Sequence, residues 1–300
     1  MDTVSEGRPT DRRPLAHFVI RTSGPVCISL MPCATVESMT AFIRTYAEPG
    51  GHLQTPFAAT VVIPSILRAE IVDTLRSVFA QSIDGRIQVL IGIDTFTNDI
   101  AMLDAICESR PPSCVVQVFY PGYSTSSRHG GVSPARDGGS LRCILSYLAN
   151  SPYVAYLDDD NWWHPDHLRL LRQAIAHGDW AFSRRWYVHP VTRRPISIDE
   201  WESVGPGRGF FNERFGGFVD PNCLMMTKPR CDTVFALWNK PMPDDPLAMS
   251  ADRMVFDALR GLFRGVDTGQ PTAFYTLNPN DAFHSMRLGW IGPDYDRADV

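Results

Sequence analysis

From Ala58 onward the chain alternates short, wholly apolar runs with segments that are apolar on one helical face, and this alternation restricts the fold more than any other feature. Apolar runs too short for helices, separated by amphipathic segments, read as buried strands of a mainly parallel sheet with helices covering its faces. Residues 59–64 form the first such strand, and 67–81 follow as a helix with Ile71, Val72, Leu75, Val78 and Phe79 on one side. The pattern continues with a strand at 87–93 ending on Asp94, a helix at 99–109, a strand at 114–120 and a polar loop at 123–131 with the character of a mobile segment. A helix at 135–150 comes next, its first turn weakened by Asp137, Gly138 and Gly139, and it leads into a strand at 153–157.

That strand stops abruptly on Asp158, Asp159 and Asp160. Ligands of open α/β sheets bind beyond the carboxyl ends of strands, so three adjacent carboxylates stand where a site belongs. Their repulsion would raise their pKa values without a nearby cation, and hard oxygen ligands suit Mn²⁺ or Mg²⁺. The cluster predicts a metal-diphosphate site; the competing reading is a solvated turn capping the next helix, a place where Asp is common. Arg128 and Arg136 have the geometry to pair with phosphate oxygens. Trp163, just after the acids, and an aromatic from 201–215 offer flat apolar faces to a saccharide or small-molecule acceptor.

Beyond the helix at 166–176, opened by Pro165, the pattern loosens. A hairpin is expected over 180–188 and 195–198, a glycine-rich lid loop over 205–217, strands at 222–227 and 272–277, and helices at 229–238 and 251–262. Upstream, residues 1–14 read as a polar tail, 17–30 as a small hairpin and 36–46 as a segment of mixed helical spacing. The Glu48-Pro49-Gly50-Gly51 break places the end of an N-terminal appendage near residue 55, leaving 56–300 as the main domain.

A net charge of -5 gives no broad basic field for nucleic acid. Seven cysteines, an odd number without a C-x-x-C pair, argue against a zinc site or disulfide framework and fit a reducing, cytoplasmic setting. No apolar run approaches the roughly 18 residues of a transmembrane span. No G-x-G-x-x-G or P-loop motif follows a strand, so dinucleotide and P-loop readings lose support.

Several pieces resemble the family 2 glycosyltransferases of the GT-A fold. Thr60-Val-Val-Ile-Pro-Ser65 is similar to their opening strand, Thr74-Leu-Arg-Ser-Val-Phe-Ala-Gln-Ser82 to their first helix, Pro134-Ala-Arg-Asp137 to their Ala-Arg-Asn segment, and Leu157-Asp-Asp-Asp-Asn161 with Pro165 and Leu168 to their Asp-x-Asp region. The resemblance covers 58–180 well and the rest weakly. It implies a nucleotide-sugar-binding half at 56–180 and an acceptor half with the catalytic base at 181–300. It further implies an inverting, metal-dependent transferase acting on a nucleoside diphosphate sugar, UDP-sugar favoured and GDP-sugar the other candidate. On the donor side it implies Pro64, Ser65, Arg136 and Asp159, with Asp94 at the base and Asp158 near ribose and metal. It implies Asp160 as a metal ligand and His284 as the residue expected to close the metal shell, as a late histidine does in some GT-A enzymes. Asp159, between the working pair, is expected to point elsewhere. The family's Glu-Asp base pair is best matched at Asp252, where Ala251 replaces the Glu; Asp244 and Asp245 compete. The missing Glu also supports a degenerate domain that binds without turnover. A sugar-nucleotide pyrophosphorylase is the third reading, opposed by the absence of its glycine-rich loop after the first strand.

Overall fold

The computed structural model describes residues 40–50, 53–135, 138–242 and 251–297. Its first half contains strands β1 (Phe42–Tyr46), β2 (Ala59–Ser65), β3 (Ile87–Ile93), β4 (Cys114–Tyr120) and β5 (Tyr153–Tyr156), with helices α1 (Ile71–Phe79), α2 (Ile100–Glu108) and α3 (Gly139–Leu148). Every residue of β2 and β3 is buried, as required of strands covered on both faces. α1 supplies part of that cover with Ile71, Thr74, Leu75 and Val78. Strands β4, β3, β2 and β5 lie side by side in parallel, so the residues after β2, β3 and β5 emerge at one edge of the sheet.

The second half adds β6 (Trp162–Trp163), α4 (His167–Ile175), β7 (Trp180–Val188), β8 (Pro195–Ile198), β9 (Gly205–Pro206), α5 (Asn212–Phe215), β10 (Gly217–Phe218), β11 (Leu224–Thr227), α6 (Lys228–Cys231), α7 (Asp252–Leu262), β12 (Gly265–Thr276), α8 (His284–Ile291) and α9 (Asp294–Arg297). β11 enters the sheet antiparallel to both β5 and β7, and β12 runs parallel to β7 and antiparallel to β6. The result is an α/β fold whose described residues form a ten-stranded sheet, parallel at its centre and flanked by helices.

The structure departs from the sequence expectations in several places. Phe42–Tyr46 is a strand antiparallel to β4, not part of an appendage ending near residue 55. Its side chains alternate between more and less exposed, and Arg44 and Tyr46 both donate to Asp104, which fixes the edge. The hairpin expected at 17–30 lies outside the described residues. The glycine-rich stretch is not a bare loop: β9 pairs with β10 around α5, and Phe211 is buried. The helix expected at 229–238 is α6 followed by a 3-10 turn over Asp232–Asn239. β12 extends the strand expected at 272–277 toward the N-terminus, its register shifted near Pro271.

Candidate active site

A cavity of about 580 Å³ is lined by residues that follow β2, β3 and β5, by the start of α3 and by α7 and the segment before α8. Pro64, Ser65, Asp94, Asp158, Asp159, Asp160 and Asp252 all line it, so the fold brings most of the expected residues together.

The three acids meet different neighbours. Asp159 is buried, and its carboxylate accepts from Ser65 Oγ at 2.7 Å and Ile66 N–H at 3.1 Å, and it also pairs with Arg68. It holds the loop after β2 in place. That loop includes Leu67 at φ 60°, a left-handed conformation uncommon outside glycine. Hydrogen bonds from Leu67 N–H to Ser65 Oγ (2.7 Å) and from Thr97 Oγ1 (2.9 Å) and Asn98 Nδ2 (3.0 Å) to the Leu67 carbonyl offset the strain. Arg68 is thereby carried over the acids, 3.4 Å from Asp160.

Asp158 pairs with Arg142 from α3 and accepts from Asn222 Nδ2 at 2.9 Å, while its N–H donates to Asn222 Oδ1 at 2.7 Å. Asp160 is anchored through its carbonyl, which accepts from Thr276 Oγ1 at 2.8 Å and Arg193 at 3.2 Å. Burial pushes its carboxyl up to about 7; Arg68 opposes the rise, and Asp159 and Asp158 add to it. The side chains of Asp158 and Asp160 keep 28% and 30% of their surface accessible. Two accessible carboxylates suit a hard divalent ion that takes one or two protein oxygens and completes its shell with phosphate and water.

The start of α3 comes unusually close to this edge. Gly138, at φ +74°, leaves space that a Cβ would lack, since that atom would lie 2.3 Å from Pro64 Cβ, and a Cβ on Gly139 would lie 2.2 Å from the Trp238 carbonyl. The glycines that weaken the helical pattern are what allow the helix N-terminus to line the cavity.

Asp94 also lines the cavity, but its carboxylate is engaged by the loop after β4: Ser124 Oγ at 2.6 Å, Thr125 N–H at 2.7 Å and Oγ1 at 2.6 Å, and His129 Nδ1 at 3.2 Å. Burial alone would raise its pKa; these hydrogen bonds outweigh it and hold the carboxyl below its ordinary range. The loop expected to be mobile is therefore tied to β3. Asp252 opens α7, where its Oδ1 accepts the Arg253 N–H at 2.8 Å. Arg136, Asp244 and Asp245 lie outside the described residues.

Two expected residues are not brought to the site. Trp163 is 2% exposed and packs in the core. Its indole N–H donates to the Asn222 carbonyl at 2.7 Å and its ring stacks on His167. An acceptor cannot reach it, because β6 carries its ring inward against α4. His284 begins α8 beside the cavity-lining Phe283, but its ring is not part of the lining. Burial and Arg287 push its pKa below the ordinary imidazole range, and its Nδ1 is buried without a hydrogen-bond partner among the described residues. Among the described residues, no group of three or more His, Cys, Asp or Glu side chains is placed to hold a metal ion.

A buried charge network forms another part of the wall. Arg185 is fully buried and pairs with Asp199 (2.8 Å), Glu202 (2.6 Å) and Asp220 (2.5 Å). Arg287 adds bonds to Glu202 at 2.7 and 2.9 Å and an ion pair with Asp281 at 2.9 Å. Burial would raise the Glu202 pKa, yet Arg185 and Arg287 bring it down to about 2. The available signal was Arg184-Arg185 inside a run that otherwise reads as a buried strand, since a buried charge needs partners.

The fold, a sheet parallel at its centre and flanked by helices, matches that of solved glycosyltransferase structures. Solved structures similar to this chain include S. aureus TarS 1–349 in complex with UDP, with TM-score 0.50 and 16% identity over 81% of this chain and 67% of that one. The same protein in complex with UDP-GlcNAc gives TM-score 0.51 and 13% identity over 81% of this chain and 68% of that one. The mannosyltransferase PcManGT from Pyrobaculum calidifontis, in complex with GDP-Man and Mn²⁺, gives TM-score 0.50 and 13% identity over 78% of this chain and 60% of that one. At these identities the likeness is one of fold. No family model and no curated protein matches the sequence.

Proposed function

We propose that this protein is a metal-dependent, inverting glycosyltransferase of the family 2 type, moving a sugar from a nucleoside diphosphate sugar to an acceptor hydroxyl. The observation that carries this reading is the convergence of Asp94, Asp158, Asp160, Asp252 and the N-terminus of α3 on one cavity. UDP, UDP-GlcNAc and GDP-Man are bound by the similarly folded proteins, which supports a nucleotide-sugar donor here, UDP-linked first.

In this reading Asp158 and Asp160 hold Mn²⁺ or Mg²⁺, and such an ion, when bound, neutralises the charge that grows on the departing diphosphate. Arg68 and Arg142 already touch these acids and would face the same phosphates. The amides opening α3 favour an anion. Pro64, Ser65 and Asp94 shape the nucleotide wall, and Asp159 holds the loop that carries Arg68. Asp252 accepts the proton of the attacking hydroxyl, a task suited to a carboxylate that no metal shares.

The test is thermal shift and nucleoside diphosphate release with Mn²⁺ and a panel of UDP-, GDP- and dTDP-sugars. Asp160→Ala is expected to abolish metal-dependent donor binding; unchanged binding would sink the metal assignment. Asp252→Asn is expected to bind donor normally and lose transfer, and retained transfer would move the base to Asp244 or Asp245. One observation favours a binding domain without turnover: Ala251, where the family has Glu, is buried at the cavity wall, so the position before Asp252 supplies no acid. Donor binding without diphosphate release across broad acceptor mixtures would select that reading.

A further inference from the structure

Three arginines in the acceptor half are almost fully buried, and one is built unlike the other two. Arg185 and Arg287 each meet carboxylates at 2.5–2.9 Å, as a buried cation must. Arg253 lines the cavity, is 5% exposed, and has no carboxylate within ion-pair distance among the described residues. Its Nη1 is buried without a hydrogen-bond partner. Its guanidinium carbon lies 3.7 Å from the Phe211 ring centroid and 3.4 Å from that of Phe218, which orients the group without satisfying its N–H donors. It also sits in the first turn of the eleven-residue α7, where the helix dipole disfavours a cation. Burial lowers its pKa although Asp252, Glu202 and Asp220 favour its charge from a distance; Arg185 opposes it. A buried cation held by ring faces but with a buried N–H donor unsatisfied, placed against its helix dipole, is costly unless something else completes it.

We infer that Arg253 is an anion-recognition residue for the acceptor, pairing with a phosphate or carboxylate carried by the molecule that receives the sugar. This rests on the transferase reading above. The acceptor is favoured over the donor diphosphate because Arg253 adjoins Asp252, the proposed base, and forms no ion pair with Asp158 or Asp160. Those acids are already met by Arg142 and Arg68. The guanidinium presents donors suited to two oxygens of one anion, so the acceptor class is a hydroxyl compound that also carries a phosphate or a carboxylate.

The experiment is calorimetric titration of inorganic phosphate, glycerol 3-phosphate and glucuronate, with glycerol and glucose as neutral controls, into wild-type protein, Arg253→Met and Arg253→Lys, each with and without saturating UDP. At least one anionic probe is expected to bind the wild type, to weaken about tenfold or more in Arg253→Met, as for loss of a charge-assisted pair, and to be partly retained in Arg253→Lys. The UDP affinity is expected to stay within about threefold. Arg253→Met is expected to melt no lower than wild type, because an uncompensated buried charge is removed. Failure of every anionic probe to bind, or equal binding by wild type and Arg253→Met, overturns the inference. So does a loss of UDP affinity as large as the loss of probe affinity, which would assign the guanidinium to the donor diphosphate. A melting temperature lowered equally in both variants, with probe binding unchanged, would assign it to packing. Should UDP fail to bind while an anionic probe still depends on Arg253, the anion subsite stands and the transferase reading falls.

Discussion

In the turn after β5, Asp158 meets Arg142 and Asn222, Asp159 meets the loop after β2, and Asp160 faces the cavity. Asp159→Ala would leave Ser65 Oγ and the Ile66 N–H without their acceptor, at a cost of roughly 2–3 kcal/mol, kept low because Arg68 is partly exposed. Urea unfolding checks this, and a midpoint equal to wild type would show the loop to be held by Thr97 and Asn98 alone. Asp160 has the opposite character from a paired acid. Its carboxyl, ordinarily at 3.8, is pushed up to about 7, so the folded chain binds the proton more tightly than the unfolded one. The stability this contributes is full below the ordinary value and is lost as pH rises through about 7. Without divalent ions, Asp160→Asn should flatten the fall in unfolding midpoint between about pH 4.5 and 8; an unchanged slope would assign it to another group. The acids were legible because carboxylates after an apolar strand are conspicuous. Their division was not, because it depends on Arg68, Arg142 and Asn222, whose approach only the fold determines.

Among the elements, the central parallel strands were readable, since burial on both faces leaves no polar position to blur the pattern. Phe42–Tyr46 was not: an edge strand of five residues with Arg44 in it carries weak alternation, and its partner β4 lies about seventy residues away. The start of α3 shows how a local signal can mislead. Gly138 and Gly139 reduce helix propensity, yet they are what admits the helix against Pro64 and Trp238. Gly138 and Gly50 share φ +74°, but only Gly138 has a neighbour where a Cβ would go. Gly50→Ala should therefore cost about 1 kcal/mol from backbone strain, and Gly138→Ala about 3 kcal/mol, with weakened donor binding, because the helix must move off Pro64. Paired unfolding curves and UDP titrations check this, and equal costs would remove the close approach as the reason for the glycine.

Across the whole molecule, the Arg185 network joins β7 to residues 14 to 35 positions further along the chain. Periodicity does not register charges so spaced, which is why the acceptor half was read as irregular. Arg185→Met would strand Asp199, Glu202 and Asp220 without their cation and is expected to cost about 3–5 kcal/mol, measurable as a lowered unfolding midpoint. A variant as stable as wild type would mean that Arg287 suffices for the cluster. The acid turn has a comparable dependence on distant sequence. Asn222 holds Asp158, while Thr276 and Arg193 hold the Asp160 carbonyl, and all three come from beyond residue 180. A chain cut at that point would keep each acid proposed to meet the donor and lose every one of these anchors. The two halves can therefore not be exchanged as modules: a hybrid that inherits its acceptor half from another protein must also inherit partners for these backbone and carboxylate contacts, or its donor acids will be present in sequence and misplaced in space.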